Sequence, residues 1–462
     1  MKRTNRIPEV LICLLILIGG ATAQAQDNWP RWRGPNQDGI SSSRGLATEW
    51  SLTTNILWKT ELPSWSAATP VIWGDRIFIT SPSASEPDQP SETAGAPEPG
   101  DSQTQGQKRR ARPQMDPGGN ILYLFCIAKT DGRILWKQVL DTKNEIHRKQ
   151  NDATPSPVTD GRHVWVVTGT GVVAAFDMEG RQIWKKNLQD EYGPFGLNWG
   201  YASSPLLHRG RLIIEVLHGY KTDDPSYIVS LDAATGTVDW RQERPTDADA
   251  ESPDAYTTPV IHTVNGREEL IISGADYVTG HDFETGKEIW RAGGLNPLKR
   301  RNYRVVGTPV VRSGIIYTPS RKKPLLALKT GGQGDISKSH LLWTYEGSGA
   351  ADVPSPLCDG KYLYLVEDRG LVTCLDAGTG EILYETQKTT EGIVSTSPLL
   401  ADGRIYILNE RAVTTIIAAG PEFKILGTNE LDGAYTLASP AVSGDSLFIR
   451  TAGHVYCITR KR

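Results

Sequence analysis

The sequence has little cysteine and none of the common metal-binding or nucleophile motifs. It contains 5 Cys and 8 scattered His among 462 residues, with no C-x-x-C and no H-E-x-x-H. It also has no calcium-loop run of the D-x-D-x-D-G type and no G-x-S-x-G. These absences exclude a disulfide-dense fold, a zinc site with ordinary ligand spacing, an EF-hand and a hydrolase nucleophile elbow.

Long apolar runs are missing everywhere except at the N-terminus. There the run Val10–Ile18 follows the positive residues Lys2, Arg3 and Arg6 and is too short to span a bilayer. Small residues at 21–25 supply a cleavage site, so residues 1–25 are predicted to be a signal peptide, with a membrane anchor as the alternative. We therefore expect an exported protein, periplasmic or extracellular after cleavage, that does not span the membrane.

Neither sign of charge is in large excess, because the formal net charge is −3. Such a chain has no global attraction to nucleic acid, and a nucleic-acid partner is not predicted.

What the chain has in abundance is an internal repeat. SLDAATGTVDW, GHDFETGKEIW and CLDAGTGEILY share a strand, a Thr-Gly turn and a second strand ending in an aromatic residue. The spacing is roughly 50 residues, which is the length of one four-stranded propeller blade. Each repeat opens with Ser/Thr-Pro and continues through alternating strands such as RIFIT, HVWVV and RIYIL. The pattern is typical of antiparallel β-structure.

Counting repeats predicts an all-β, eight-bladed β-propeller over residues 55–459. The eighth repeat ends soon after VYCI and lacks a fourth strand, whereas an orphan strand with Trp58 lies near residue 56. An N-terminal strand that completes the last blade would close the ring and cover two sheet edges. Seven blades is the fallback, because the seventh repeat lacks both the Thr-Gly turn and its Trp.

Two segments lie outside this repeat. Residues 26–54, rich in Trp, Arg, Gly and Pro, are predicted to form an irregular extension that packs its aromatic residues on the propeller. Residues 81–119 interrupt blade 1 and are dominated by Pro, Ser, Glu, Gln and Gly, so we expect a disordered surface loop. Its KRRAR run at residues 108–112 could bind a polyanion or be merely solvated.

The cysteines follow the repeat as well. Cys126, Cys374 and Cys457 share a repeat position where other blades have Ala, Ser or Gly, which favours a small buried packing site. Because an exported chain could form disulfides, some disulfide among these three cysteines and Cys358 stays open as an alternative.

The D-x-x-T-G-x-x-x-W pattern of SLDAATGTVDW and GHDFETGKEIW resembles the tryptophan-docking motif of PQQ-like repeat β-propellers. The resemblance covers residues 55–459 and implies that the aromatic residue of one blade stacks on the turn of its neighbour. By this resemblance the docking residues are Trp58, Trp136, Trp184, Trp240, Trp290, Trp343 and Tyr384. The family includes quinoprotein dehydrogenases, which bind pyrroloquinoline quinone (PQQ) and calcium, and cofactor-free scaffolds of the BamB type.

A propeller binds its ligands where the blade-opening segments converge on a central funnel. Aromatic faces with a few fixed polar groups there suit a planar ligand, a sugar or an extended peptide. Channel plugging is the structural alternative for the same residues. The candidate ligand-binding residues are Trp65, Asn151, Asp152, Trp199, Tyr256, Arg304, Asp352 and Tyr435.

Two charged groups near these segments have plain interpretations. Asp247, Asp249 and Asp254 lie in a predicted loop and are most simply solvent-exposed. Lys299, Arg300, Arg301 and Arg304, with residues 321–323, could form an anion-attracting patch or a solvated rim.

The sequence favours an exported, non-catalytic binding or scaffold protein that binds a protein or polysaccharide partner. We expect it to be a monomer and to need no cofactor. The alternative is a PQQ- and calcium-dependent dehydrogenase that oxidises an alcohol or sugar, with Asp152, Asp254 or Asp352 as base and Arg304 on a cofactor carboxylate. The adjacent cysteine pair of the alcohol dehydrogenases is missing. A hydrolase or lyase using the same funnel is a third possibility.

Overall fold

The computed structural model describes residues 28–85 and 118–460. The predicted signal peptide and most of the predicted insertion lie outside these ranges. Eight antiparallel sheets, each with four strands of the repeat, form the propeller, so the prediction of eight blades is confirmed. The second strand of blade 1 continues to Pro82, and Ser83 then hydrogen-bonds to Gly119 and Ile121 across the base of the insertion.

Each blade has four strands, counted from the propeller axis outward, and the blades are numbered 1 to 8 along the chain. The first strands are Val71–Trp73, Val158–Thr159, Leu206–His208, Val260–Val264, Val310–Arg312, Leu357–Cys358, Leu399–Ala401 and Ala441–Ser443. The second strands are Arg76–Pro82, His163–Val167, Arg211–Val216, Arg267–Gly274, Ile315–Thr318, Tyr362–Val366, Arg404–Leu408 and Ser446–Arg450. The third strands are Leu122–Ala128, Val172–Asp177, Tyr227–Asp232, Tyr277–Asp282, Leu325–Lys329, Leu371–Asp376, Val413–Ala418 and His454–Thr459. The fourth strands are Ile134–Asp141, Gln182–Asn187, Val238–Glu243, Glu288–Ala292, Leu341–Tyr345, Ile382–Lys388, Ile425–Glu430 and Ile56–Glu61.

A few elements lie outside the four-strand pattern. Ile40–Ser41 adds in parallel to the first strand of blade 7, and Gly334–Asp335 adds in parallel to the fourth strand of blade 4. Ile146–His147 and Gln150–Asn151 form a small hairpin, and Leu188–Tyr192 is a short helix.

The first strands of neighbouring blades contact one another, which puts them around the propeller axis. The second and third strands are almost wholly buried between blades, whereas the fourth strands alternate between exposed and half-buried residues. This gradient follows from the ring, since each blade buries both faces against its neighbours and exposes only its outer edge.

A belt of hydrogen bonds around the axis explains the Ser/Thr-Pro that opens each blade. The backbone N–H of this Ser or Thr donates to the side-chain hydroxyl of its equivalent in the next blade, at 2.9–3.2 Å. Seven of the eight junctions have this bond, in the order Thr69, Ser156, Ser204, Thr258, Thr308, Ser355, Ser397 and Ser439. At the eighth junction the buried Thr69 Oγ1 has no hydrogen-bond partner in the described structure.

The ring closes at blade 8, as predicted. The N-terminal strand Ile56–Glu61 pairs antiparallel with the C-terminal strand His454–Thr459, and Trp58 lies opposite Cys457. The two strands therefore share one sheet, and neither leaves an unpaired edge inside the ring.

Blade 7 lacks a repeat Trp, and the N-terminal extension supplies one. At the position of that Trp the fourth strand has Gly427, which lies opposite Ile416. The ring of Trp50 instead stacks on Tyr406 of the second strand, with 6.4 Å between ring centres. Trp50 N donates to Asn429 Oδ1 at 2.8 Å, which fixes this part of the extension on the blade.

The rest of the extension crosses the axis. Trp29 bridges to Ile72, and Pro30 accepts a hydrogen bond from Thr159 N, so blades 1 and 2 are both contacted. Further hydrogen bonds reach residues within or directly before the first strands of blades 4, 6 and 7, and they join Gln37 to Pro259, Arg33 to Pro356 and Leu400 to Gly39. The extension contacts the turns between first and second strands, so it closes the end of the channel opposite the blade-opening segments.

The docking pattern holds for four Trp residues in full. Each donates its indole N–H to a carbonyl of the next blade's turn, from Trp58 to Lys129, Trp136 to Met178, Trp184 to Ala233 and Trp343 to Gly378, at 2.8–3.1 Å. Trp240 packs on Gly286 of the next turn, although its N–H has no hydrogen-bond partner in the described structure. Tyr384 packs against Phe423 of blade 7.

Trp290 departs from this pattern. Its N–H donates to Glu269 of its own blade at 2.8 Å, and its strand carries the added strand Gly334–Asp335. The reason is the longer connection of blade 5 between its third and fourth strands, which covers Trp290 instead of presenting a tight turn.

The four cysteines of the described ranges are buried free thiols. Burial raises the pKa of Cys126 to about 12 and that of Cys358 to about 11, so both are unreactive packing residues. The disulfide alternative is wrong for these residues.

Candidate functional site

The blade-opening segments and the turns between second and third strands form one face of the propeller, called the funnel face below. It contains all eight predicted ligand-binding residues, which the structure gathers into two clusters. The Trp199 cluster comprises Trp199, Tyr256, Arg304 and Asp352, and the Trp65 cluster comprises Trp65, Tyr435, Asn151 and Asp152.

The Trp199 cluster joins blades 3 to 6 through polar contacts. Trp199 N donates to the Tyr256 hydroxyl at 3.0 Å, and the Arg304 guanidinium lies 5.1 Å from the centre of the Trp199 ring. Arg304 Nη2 donates to Asp352 Oδ2 at 3.3 Å. This arrangement fixes an aromatic ring, a guanidinium and a carboxylate side by side, but it leaves Arg304 committed to a partner.

Glu251 completes this cluster, and sequence reasoning missed it. It accepts hydrogen bonds from Trp199 Nε1 at 2.9 Å and from Asn198 Nδ2 at 3.1 Å. Its Oε1 lies 3.9 Å from Arg304 Nε. The sequence feature that could have identified Glu251 is its position in the blade-opening segment, just before Asp254.

Asp254 is fully buried, so the prediction that it is solvent-exposed is wrong. Its carboxylate accepts backbone hydrogen bonds from Asn198 at 2.7 Å and Tyr220 at 3.1 Å. Burial raises the pKa of Asp254 to about 7 although these donors lower it. The carboxylate thus holds two loops of blade 3 together, and its side chain is enclosed rather than presented to a ligand.

The Trp65 cluster joins blades 8, 1 and 2. The Trp65 and Tyr435 rings meet edge to face at 5.6 Å, and Asn151 Nδ2 donates to the Trp65 carbonyl at 2.8 Å. Asp152 accepts a hydrogen bond from Glu145 N at 2.7 Å and lies 3.3 Å from His147 Nε2. Three of its side chains are buried, namely Trp65, Asn151 and Asp152, so this cluster fills the channel rather than presenting its side chains to a ligand.

The basic patch predicted in blade 5 is partly neutralised by ion pairs. Lys299 Nζ lies 3.0 Å from Asp247, and Arg301 Nη1 lies 2.7 Å from Asp249. These pairs align the opening loop of blade 4 with that of blade 5, where Glu251 N also donates to the Arg301 carbonyl. Asp247 and Asp249 are exposed, as predicted, yet each is paired.

A buried carboxyl group lies between blades 3 and 4. Thr257 Oγ1 is 2.7 Å from Glu215 Oε1 and 2.7 Å from the Ser273 carbonyl oxygen. Because the hydroxyl has one proton and the carbonyl can only accept, both contacts are satisfied when Glu215 is protonated. Burial raises the pKa of Glu215 to about 7, which favours the same neutral state.

The hairpin Ile146–Asn151 lies between the two clusters, and its importance was also missed. At its tip, the Arg148 guanidinium lies 4.6 Å from the Trp199 ring centre and Lys149 Nζ lies 2.8 Å from Glu410 Oε1. Glu410 and Asp368 occupy the same turn of successive repeats, in LNERA and VEDRG. An alignment of these turns is the sequence signal that would have found them.

Neither a metal cluster nor a membrane-spanning helix is found in the described part of the chain. Within residues 28–85 and 118–460, no three His, Cys, Asp or Glu side chains are grouped so that they could hold a metal ion. In the same ranges, no helix has the length and apolar character needed to cross a membrane.

The Trp-docked blades and their closure define a PQQ-like repeat β-propeller. Within that class, residues 123–386 and 335–422 match the profile of the family described as outer membrane protein assembly factor BamB, and the chain belongs to this family.

Relatives with known names fall into two groups. BamB of Yersinia pestis is 21% identical over 346 residues, which cover 66% of this chain and 84% of that protein. Quinohemoprotein alcohol dehydrogenase ADH-IIG of Pseudomonas putida is 28% identical over 287 residues, 55% of this chain but 34% of the relative. This chain therefore matches about a third of the dehydrogenase's length.

Solved structures give the same two groups at the level of fold. BamB of Moraxella catarrhalis superposes with a TM-score of 0.55 at 16% identity, covering 87% of this chain and 98% of that one. ADH-IIG of Pseudomonas putida HK5 superposes with a TM-score of 0.63 at 11% identity, covering 96% and 82%. At these identities the likeness establishes the fold alone.

Proposed function

We propose that this chain is an exported, non-catalytic scaffold that binds a protein partner through its funnel face. The observation that carries the proposal is a set of exposed apolar side chains on loops of that face. Tyr220, Leu298 and Ile393 are 42%, 70% and 42% exposed, and they come from blades 3, 5 and 7. Exposed apolar side chains that a rigid ring presents on its loops supply contact points for a protein partner.

Family membership supports the same proposal, since the matching profile is named for an assembly factor. A polysaccharide partner is an alternative that the aromatic residues of the funnel would also suit. Export, to the periplasm or the exterior, belongs to the proposal as well and rests on the predicted signal peptide.

The test compares the wild-type chain with two matched surface variants. One replaces Tyr220, Leu298 and Ile393 by Ser, and the other replaces three exposed outer-strand residues, Leu57, Leu135 and Leu426, by Ser. Cross-linking in envelope extract followed by quantitative mass spectrometry should recover a partner with the wild type and the outer-strand variant but not with the funnel-face variant. Equal recovery by all three proteins would contradict the proposal.

A quinone-dependent dehydrogenase is the alternative raised by the ADH-IIG relative. PQQ would need an accessible aromatic face, a free cation for its carboxylates and oxygen ligands for calcium. Here Arg148 and Arg304 already lie against the Trp199 ring, and Arg304 is paired with Asp352. These residues do not fit the cofactor, and no catalytic step follows from them.

A thermal melt with and without PQQ and calcium tests this alternative directly. A ligand at about 100 times its dissociation constant stabilises by about 2.7 kcal/mol, which would raise the Tm of so large a chain measurably. We expect no shift. A reproducible rise, followed by dye-linked oxidation of an alcohol or sugar, would favour the dehydrogenase.

A further inference from the structure

A small hairpin crosses the mouth of the funnel. Ile146–His147 and Gln150–Asn151 pair in antiparallel fashion, and Arg148 and Lys149 form the two-residue tip. The hairpin belongs to the segment that opens blade 2, yet its tip contacts Trp199 at the opening of blade 3 and Glu410 of blade 7. Blades 2 and 7 lie well apart around the ring of eight, so these contacts span the funnel.

The tip carries a side chain where the backbone would favour glycine. Arg148 has a φ of +60°, and it occupies the first central position of a two-residue hairpin turn. A non-glycine residue in this conformation is strained. Its guanidinium lies 4.6 Å from the Trp199 ring centre, so a cation–π contact offsets that strain.

The second tip residue is held by an acidic site. Lys149 Nζ lies 2.8 Å from Glu410 Oε1, and Ser395 Oγ donates to the same oxygen at 2.5 Å. Burial raises the pKa of the Asp368 carboxyl in the neighbouring blade, and the nearby cations Lys149 and Arg304 act to lower it. Lys149 therefore lies where carboxylates from blades 6 and 7 converge.

The aromatic ring of Trp199 and the carboxylate of Glu410 are thus two recognition points for cations, both already filled by adjacent residues of one extended turn. Trp199 is only partly buried, and Glu251 orients its ring by accepting the indole N–H. Gly200 gives the hairpin room, because a Cβ at this position would lie 2.3 Å from the His147 ring. The observed occupant shows which chemistry the two points accept.

We propose that the funnel mouth is a binding site for a basic, extended segment of a partner protein, and that the chain's own Arg148–Lys149 pair occupies it until that segment arrives. This site rests on the proposed scaffold function and adds the chemistry of the partner and an autoinhibitory contact. A tethered occupant competes at an effective concentration of roughly millimolar or more, so its removal increases the apparent affinity for an external basic segment.

The test uses the mature chain and a variant with Arg148→Gly and Lys149→Ser. Glycine suits the positive φ, so the hairpin turn is retained while both cations are removed. Fluorescence polarisation measures binding of a fluorescein-labelled Gly-Ser-Arg-Lys-Ser-Gly peptide, and the matched peptide has citrulline and norleucine in place of Arg and Lys. We expect the variant to bind the basic peptide at least about tenfold more tightly than the wild type.

Two further variants attribute that gain to the site. Adding Glu410→Gln to the hairpin variant should abolish most of the gain, and adding Trp199→Leu should reduce it. Thermal melts check that each variant is folded, and Glu385→Gln on blade 6 serves as a carboxylate control away from the hairpin.

The basic-segment site is ruled out if the hairpin variant binds the basic peptide no better than the wild type, if both peptides bind equally, or if Glu410→Gln leaves the gain intact. Any of these results, combined with loss of the cross-linked partner in the Tyr220, Leu298 and Ile393 variant, would retain the scaffold function and reject only this site. If the cross-linking test fails and the peptide test succeeds, the basic-segment site is retained and the funnel face defined by Tyr220, Leu298 and Ile393 is rejected as the scaffold's partner-binding surface.

Discussion

The most specific prediction about this fold concerns Trp50, whose ring is supplied to blade 7 by the N-terminal extension. In blades 1, 5 and 8, a Trp on the fourth strand lies 5.8–6.0 Å from an aromatic ring on the second strand. Blade 7 has Gly427 at that strand position, and Trp50 packs on Tyr406 instead. Trp50 is 5% exposed, so Trp50→Ala should cost about 3–5 kcal/mol of unfolding free energy.

The corresponding thermal shift can be worked from the size of the protein. Unfolding entropy of about 2.1 cal/mol/K per residue over roughly 400 residues gives about 0.8 kcal/mol/K. The Tm should therefore fall by about 4–6 °C in differential scanning calorimetry. Trp32→Ala is the matched control, because Trp32 lies in the same extension but is only half-buried.

A second substitution tests whether Trp50 truly replaces the missing repeat residue. Gly427→Trp restores a ring on the fourth strand, so it should recover at least half of the loss in the Trp50→Ala background. In the wild-type background it competes with Trp50 and should destabilise. The two substitutions should therefore be coupled by more than about 1 kcal/mol. Additive effects, or a Trp50→Ala cost below about 1 kcal/mol, would refute the reasoning.

Three further predictions concern buried polar groups and charges. Ser355→Ala removes the hydroxyl that accepts the buried Thr308 N–H of the belt, so it should lower the unfolding free energy measured in urea by about 1–3 kcal/mol. Thr69→Val should be nearly neutral, because the Thr69 hydroxyl has no hydrogen-bond partner in the described structure. Glu215 has a folded pKa of about 7, above its unfolded value, so its stabilising effect is greatest below about pH 4.5 and is lost as the pH rises through 7. Glu215→Gln should therefore raise stability by about 3 kcal/mol at pH 8 and by little at about pH 4.5, and parallel Tm–pH curves would contradict this. Arg301→Ala should cost less than about 1 kcal/mol and nothing in about 1 M salt. Arg304→Ala leaves Asp352 with only the more distant Arg321, whose Nε lies 3.8 Å away, and should cost about 3 kcal/mol at either salt concentration.

The repeat was enough to predict the fold because blade identity is encoded locally. Each blade is marked by Ser/Thr-Pro, a Gly-bearing turn and a period-two strand, and each signal lies within about 50 residues. Closure by the strand around Trp58 was also predictable, since the eighth repeat lacks its fourth strand and the strand around Trp58 belongs to no other repeat. Trp50 was not predictable, because Gly427 and Trp50 are distant in sequence and no local pattern connects them.

The funnel residues were predicted as a set, but not their grouping or their state. Which side chains meet depends on the radial position of all eight opening segments, and Arg304 could not be paired with Asp352 from spacing alone. Asp254 was misjudged because polar loop composition indicates exposure, whereas in the fold three backbone N–H groups supply donors that make burial tolerable. The Arg148–Lys149 tip was missed for the same reason as the Arg304 pair, since its partners lie in blades 3 and 7.

The N-terminal extension ties these observations to the order of folding. Residues 28–54 plug the axis and supply the blade 7 aromatic ring, and the strand Ile56–Glu61 that follows them completes blade 8. Nearly all of these contacts are to separate blades or to residues far along the chain. Contacts of such sequence separation form late, because most of the ring must exist before they can be made. The belt junction without its hydrogen bond lies between blade 8 and blade 1, which is the place where the ring closes. The extension therefore holds the ring closed, and weakening its contacts should open the ring at blade 8 first. In the Trp50→Ala variant, backbone amides in the third strand of blade 8 should exchange hydrogen faster than those of blades 3 and 4.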